Sequence, residues 1–179
     1  MAGHNCAMPQ YALGTLVPSV DPSAFVHPDA VLIGDVRIGP EASVWPTAVL
    51  RADSNRIEVG ARTSIQDGSI IHCTSQEPTI IGSGVVIGHN VHMEGCTIDD
   101  GALVGSGSVV LPRAVIGAGA LVAAGAVVAN DVVVPPGAIA RGVPARILED
   151  AAPQELIAAS VEQYVANTHR YKAELRRLD

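Results

Sequence analysis

Aromatic side chains are scarce in this chain, at 3% of 179 residues, although 48% are hydrophobic. A compact globular core would draw on more Phe and Trp. What remains, Val, Ile, Leu and Ala with 18 glycines, suits a narrow interior of small aliphatics. Cysteine is also sparse. Cys6, Cys73 and Cys96 are odd in number and scattered, so no disulfide framework is implied. Excess positive charge is lacking too. The formal net charge of -7 argues against a nucleic-acid partner. No window is apolar for long enough to span a bilayer. The first residues, MAGHNCAMPQYALG, lack the charged start and apolar run of a secretory signal. The expectation is one domain in a reducing, cytoplasmic setting, with no membrane partner.

What is present is a repeat. Val20, Val26, Leu32, Ile38, Val44 and Leu50 recur every six positions, each followed four residues later by a small or branched one: Ala24, Ala30, Val36, Ala42, Ala48, Ser54. The period returns at Val59, Ile65 and Ile71, again at Ile81, Ile87 and Met93, and then runs from Ile98 to Val134. No α-helix has this period, and a two-sided sheet would alternate by two. A hexapeptide unit marks a parallel β-helix. Each hexad is one short strand and a corner, and three hexads make one coil. Coils stack at about 4.8 Å, so about six of them form a rod roughly 30 Å long. Glycines after the aliphatics, as in Gly34, Gly39, Gly82, Gly88 and Gly117, are expected at corners with positive φ.

The β-helix is expected over 1–149, with 1–15 an N-terminal extension. Past Arg141-Gly-Val-Pro144 the hexads stop. Asp150 can cap a helix and Pro153 can open it. Ile157, Val161, Tyr164, Thr168, Tyr171, Leu175 and Leu178 then form one apolar stripe. The expectation for 150–179 is a helix of roughly 25 residues packed on the outside of the prism.

Three breaks interrupt the hexads: between Leu50 and Val59, between Ile71 and Ile81, and between Met93 and Ile98. Insertions in repeats map to loops that often bind ligands. If each break is a loop that preserves the order of faces, the strands at Leu50, Ile71 and Met93 stack. Arg51, His72 and Glu94 then point outward in one column, with neighbours about 4.8 Å apart. On the next face Asp67 lies under His89, and Gln66 points outward over Trp45. His92 shares the outward surface of Glu94. One reading is that these are polar outer-face residues, with His72 and Asp67 merely hydrogen-bonded. Together, two imidazoles and a carboxylate have the donor set for Zn²⁺ or a similar divalent ion. One face is not expected to present three converging ligands, so a second prism would supply one.

The stretch SVWPTAVLRADSNRIEVGARTSIQDGSIIH, followed by IGHNVHMEGCTI, closely resembles the γ-class carbonic anhydrases and their bacterial relatives. That resemblance implies a left-handed β-helix, a homotrimer, and Zn²⁺ or Fe²⁺ at each subunit interface. It implies that His72 is a metal ligand and that His89 is the ligand given by the adjacent subunit. Arg51 and Asp53 match the pair that bridges subunits, and Gln66 and Asp67 match the residues that orient the reacting water. The implied reaction is reversible hydration of CO₂ to bicarbonate. One position departs from the pattern. The family's third ligand, a histidine five residues past His89, is Glu94 here, with His92 two residues before it. Glu94 is expected to ligate and to slow the reaction through its negative charge. His92 is the alternative, and weak or absent metal the third outcome.

Two other classes fit the hexads. One is a CoA-dependent acyltransferase or thioesterase with His89 or His92 as general base. The other is a trimeric scaffold without chemistry. Trp45 is expected at a subunit contact and Tyr164 in helix packing. Cys73 is expected in a loop and Cys96 at a corner.

Overall fold

Residues 9–178 are described in the computed structural model. Cys6 and His4, with the first half of the expected extension, lie outside them. The chain is a parallel β-solenoid closed on one side by a C-terminal helix. A 12-stranded sheet wraps two faces of the prism, and an eight-stranded sheet forms the third. The last strand of the third face, Arg146–Leu148, runs antiparallel to Ile139–Arg141. The other seven are parallel and count the coils, one more than the hexads alone suggest. The inward positions, among them Leu32, Leu50, Ile71, Met93, Val110 and Val128, are fully buried in one continuous core.

The register matches the count along the hexads. Leu50 pairs with Ile71, which pairs with Met93. Val44 pairs with Ile65, which pairs with Ile87. Corner geometry differs from expectation. Gly34 has φ +79°, but Gly39, Gly82, Gly88 and Gly117 do not have positive φ, which falls instead two residues later at Glu41, Gly84, Asn90 and Gly119. The smallness of Gly117 answers a close approach: a Cβ there would lie 2.6 Å from the backbone nitrogen of Pro136 in the next coil.

The first break is not a loop. Val49–Val59 is one 11-residue strand paired along Val31–Ile38. The register shifts between Gly34 and Val36, which face Ala52 and Ile57, so residues 53–56 bulge out opposite Asp35. Bulges of this kind re-aim side chains. Ser54 is therefore exposed, and Ala52 and Ile57 fill the core positions. The second break is an excursion over 73–78, turned by Thr74: its amide bonds to the Glu77 carbonyl at 3.0 Å, and its hydroxyl accepts from the Glu77 amide at 2.9 Å.

The helix is Gln154–Glu174, 21 residues. Pro153 holds the cap position with no side-chain capping bond. Asp150, the expected cap, sits in a positive-φ turn at +49°. Gln154 anchors the helix start instead, its Nε2 donating to the Gly119 carbonyl at 2.8 Å. Ile157, Val161, Val165 and Thr168 are buried, while Leu175 and Leu178 lie beyond the helix and are exposed. The helix covers the third face over strands Phe25–Val26, Ser43–Val44, Ser64–Ile65 and Val86–Ile87. Trp45 does point outward, but its own helix buries it. Its ring packs against Phe25, Tyr164 and Tyr171 at centroid distances of 5.5, 5.9 and 4.9 Å. Its indole N–H donates to Ser64 Oγ at 2.9 Å and Ser43 Oγ at 3.1 Å. The surface it seals belongs to the same chain.

Candidate metal centre

Arg51, His72 and Glu94 pair in register on adjacent strands and form the expected column. Alternation along each strand points them outward, since Leu50, Ile71 and Met93 between their neighbours point in. Asp53 joins them from the bulge. His72 Nε2 lies 2.9 Å from Asp53 Oδ1, and His72 Nδ1 lies 2.9 Å from Glu94 Oε1. Arg51 pairs with the other oxygen of Asp53. The hydrogen bond to His72, followed by that to Arg51, holds the Asp53 carboxyl below the usual carboxylate range. His72 is the least exposed of the trio, its side chain 19% accessible.

A second pair stands at the neighbouring corner. His89 Nδ1 lies 3.0 Å from Asp67 Oδ2, and both side chains are about half exposed, at 50% and 46%. Beside it Gln66 is buried and lies near the Tyr164 hydroxyl. Burial, followed by the nearby charge of Asp67, pushes the Tyr164 phenol up. Tyr164 therefore reaches the site as well as packing on Trp45. Nothing in its spacing announces this, because it arrives from a helix nearly a hundred residues downstream of Gln66.

His92 stays apart. It pairs with Ile70 and Val109, one outward step from the Glu94 column, while the hydrogen bonds of the His72 ring go to Asp53 and Glu94. The thiols point away from the site. Cys73 and Cys96 are both buried among the core aliphatics. Burial pushes the Cys96 thiol up to about 12.

Imidazole and carboxylate donors suit a divalent ion of the zinc type. Within one chain they do not converge, because Asp53 and Glu94 occupy opposite edges of the His72 ring. Among the described residues no three His, Cys, Asp or Glu gather around one point. His89 sits with its free ring nitrogen turned from Asp67 and half exposed. The donor types thus fit a divalent ion, but the described residues of one chain do not enclose it by themselves.

Residues 95–130 match the family described as bacterial transferase hexapeptide (six repeats). The chain is 48% identical over 127 residues to a probable carbonic anhydrase of Methanocaldococcus jannaschii, covering 71% of this chain and 80% of that protein. It is 39% identical over 156 residues to gamma carbonic anhydrase 1, mitochondrial, of Arabidopsis thaliana, covering 84% of this chain. The chain spans only 56% of that plant protein's length. It is also 42% identical to the carnitine operon protein CaiE of Escherichia coli, covering 83% of this chain and 76% of that one. Among solved structures, a hexapeptide transferase family protein of Anaplasma phagocytophilum superposes with a TM-score of 0.87 at 38% identity, covering 91% of this chain and 98% of its own. A putative acetyltransferase of Bacillus cereus superposes with a TM-score of 0.91 at 32% identity, covering 94% and 99%.

The fold and these likenesses define a hexapeptide-repeat protein. Within that class the chain belongs to the γ-carbonic-anhydrase-like family. Among the described residues no helix is long and apolar enough to cross a membrane.

Proposed function

We propose that this protein is a γ-carbonic-anhydrase-like enzyme that interconverts CO₂ and bicarbonate at a Zn²⁺ or Fe²⁺ site shared between subunits of a homotrimer. The observation that carries the reading is the split of the donors. His72 and Glu94 share one column, and His89, braced by Asp67, stands at a separate half-exposed corner. A carboxylate on one ring nitrogen fixes the tautomer of a ligating histidine and aims the other nitrogen outward. His72, Glu94 and a neighbour's His89 would hold the ion. The ion supplies Lewis acidity, which makes a water acidic near neutral pH.

The chain's own residues do the rest. Arg51 and Asp53 would link the two chains beside the site. His72 holds a carboxylate on each ring nitrogen, Glu94 on Nδ1 and Asp53 on Nε2, and one of these hydrogen bonds must give way for the ring to ligate. Gln66, beside Tyr164, and Asp67 would orient the reacting water. Glu94 adds a negative charge where the family carries a neutral imidazole, which lowers the acidity the ion can impart. Slow turnover follows.

The likeness to transferases supports a second reading, binding of an acyl-CoA. The short excursion over 73–78 offers little to clamp one. Metal analysis, light scattering, CO₂ hydration kinetics and acetyl-CoA calorimetry on the full chain separate the two. Expected are a trimer, about one metal per chain, slow hydration that Glu94→His accelerates and Glu94→Gln abolishes, and no acetyl-CoA binding. Loss of metal in His92→Ala alone, a monomer, or metal-independent acetyl-CoA binding would overturn the proposal.

A further inference from the structure

One hydroxyl stands in an apolar column of the core. Thr79 is fully buried, and so are the residues stacked with it: Val36 and Ile57 in the coils before, Cys96 and Ala114 in the coils after. A buried hydroxyl must find partners. Thr79 Oγ1 donates to the His72 carbonyl at 2.5 Å and accepts from the Gly95 N–H at 2.8 Å. Those two backbone groups belong to His72 itself and to the residue directly after Glu94.

The repeat explains why a hydroxyl is needed there. At regular corners the turning residue donates straight to the coil before it: Arg113 to Gly95 at 2.7 Å, Asn90 to Asp67 at 2.9 Å, Gly119 to Asp100 at 3.0 Å. Gly95 is the turning residue of its corner, with φ +55°, but its direct bond to the His72 carbonyl is stretched to 3.4 Å. The strand ends at His72 and the next begins only at Thr79. The excursion also presses on this corner, since a Cβ on Gly95 would lie 3.1 Å from Glu77 Cβ and 3.2 Å from Thr74 Cγ2. Thr79 bridges the gap that the excursion opens.

We infer that Thr79 is a positioning residue for the site. Its hydroxyl ties the backbone of His72 to that of Glu94, so that imidazole and carboxylate stay at hydrogen-bond distance across the coils. The inference rests on the reading of His72 and Glu94 as metal-site residues. Thr63 supplies the comparison. It is buried and stitches coils in the same way, donating to the Gly82 carbonyl at 2.6 Å and accepting from the Val85 N–H at 3.1 Å, but no candidate ligand adjoins it.

The test uses the full chain as wild type, Thr79→Val, Thr79→Ser and Thr63→Val. Three quantities are read: the urea midpoint, Co²⁺ affinity from its visible absorption, and the ring ¹⁵N shifts of His72 in metal-free protein. Thr79→Val is expected to weaken Co²⁺ binding about 10- to 100-fold, as loss of outer-sphere support typically does, and to move the His72 shifts. Thr79→Ser keeps the hydroxyl and restores both. Thr63→Val is expected to lower the urea midpoint while leaving affinity and shifts as in wild type. The inference is overturned if Thr79→Val changes only the midpoint, or if Thr63→Val moves the shifts equally. Thr79→Ala, read for the same outcomes, replaces the valine variant should that one not fold. If wild type does not bind Co²⁺, the metal reading fails, and the His72 shifts alone decide the role of Thr79.

Discussion

Asp53 Oδ1 and His72 Nε2 are 2.9 Å apart although 19 residues separate them in the chain. The strand pairing sets Arg51, not Asp53, against His72. Asp53 reaches the ring only because the bulge over 53–56 carries it past the end of the regular ladder. In doing so it occupies Nε2, while Glu94 occupies Nδ1. Both ring nitrogens of His72 are therefore bonded to carboxylates of its own chain.

The same contact has an acid signature. His72 and Arg51 hold Asp53 ionised in the fold, so its folded pKa is depressed. Its contribution to stability is complete above the ordinary carboxylate pKa, about 3.9. It is lost as pH falls through the lowered folded value. Urea midpoints of wild type and Asp53→Asn, measured from pH 6 downward, should differ most above about pH 4 and approach each other below it. A constant gap across that range would contradict the assignment.

Trp45 seals the helix onto the third face. Trp45→Ala is expected to cost about 3–5 kcal/mol, the usual range for emptying a large buried aromatic site. Trp45→Phe should cost less. Its loss includes the indole N–H bonds to Ser64 and Ser43, about 1–3 kcal/mol for buried partners left unpaired. Urea unfolding followed by far-UV circular dichroism measures both. Equal stability of the two variants would mean that the ring fills no space.

Gly34 fixes the bulge. Its φ is +79°, and a Cβ there would lie 2.0 Å from the Ala52 carbonyl oxygen, a backbone atom that cannot swing away. Gly107 has a similar φ, +69°, but open space around it. Gly107→Ala should cost about 1–2 kcal/mol, the left-handed backbone penalty alone. Gly34→Ala should cost clearly more, or leave little soluble protein. Similar melting temperatures for the two variants would show that the contact at Ala52 relaxes freely.

The buried thiols should be inert. In a Cys6→Ser background, Cys73 and Cys96 are the remaining cysteines. Both are enclosed, and burial alone pushes Cys96 up to about 12. Native protein at pH 8 should show no fast reaction with a disulfide reagent, and urea-unfolded protein should show two reactive thiols. Rapid labelling of the native state would place a thiol at the surface.

Much of the site could be read by counting. The pairings Arg51 with His72 and His72 with Glu94, and the placement of Asp67 beside His89, follow from six residues per strand and corner. The breaks were harder to read. The interruption after Leu50 looks like a loop in the sequence, yet it is a bulged strand, which exposes Ser54 and delivers Asp53 to His72. Cys73 reads as part of a loop but turns into the core. The helix start assigned to Asp150 belongs instead to Pro153 and Gln154.

The sequence by itself determined the prism, its core and the vertical order of the outward residues, because in a solenoid each coil is placed by its neighbours and register is a local property of spacing. Only the tertiary structure decided which side chains close around that column and the neighbouring Asp67–His89 corner. Asp53 comes by way of a bulge, Tyr164 by a helix laid over the third face, and Thr79 by the return of an excursion, while Trp45 is spent on the chain's own helix rather than on a partner. Those placements depend on where the chain leaves the repeat and comes back, and no period records such points.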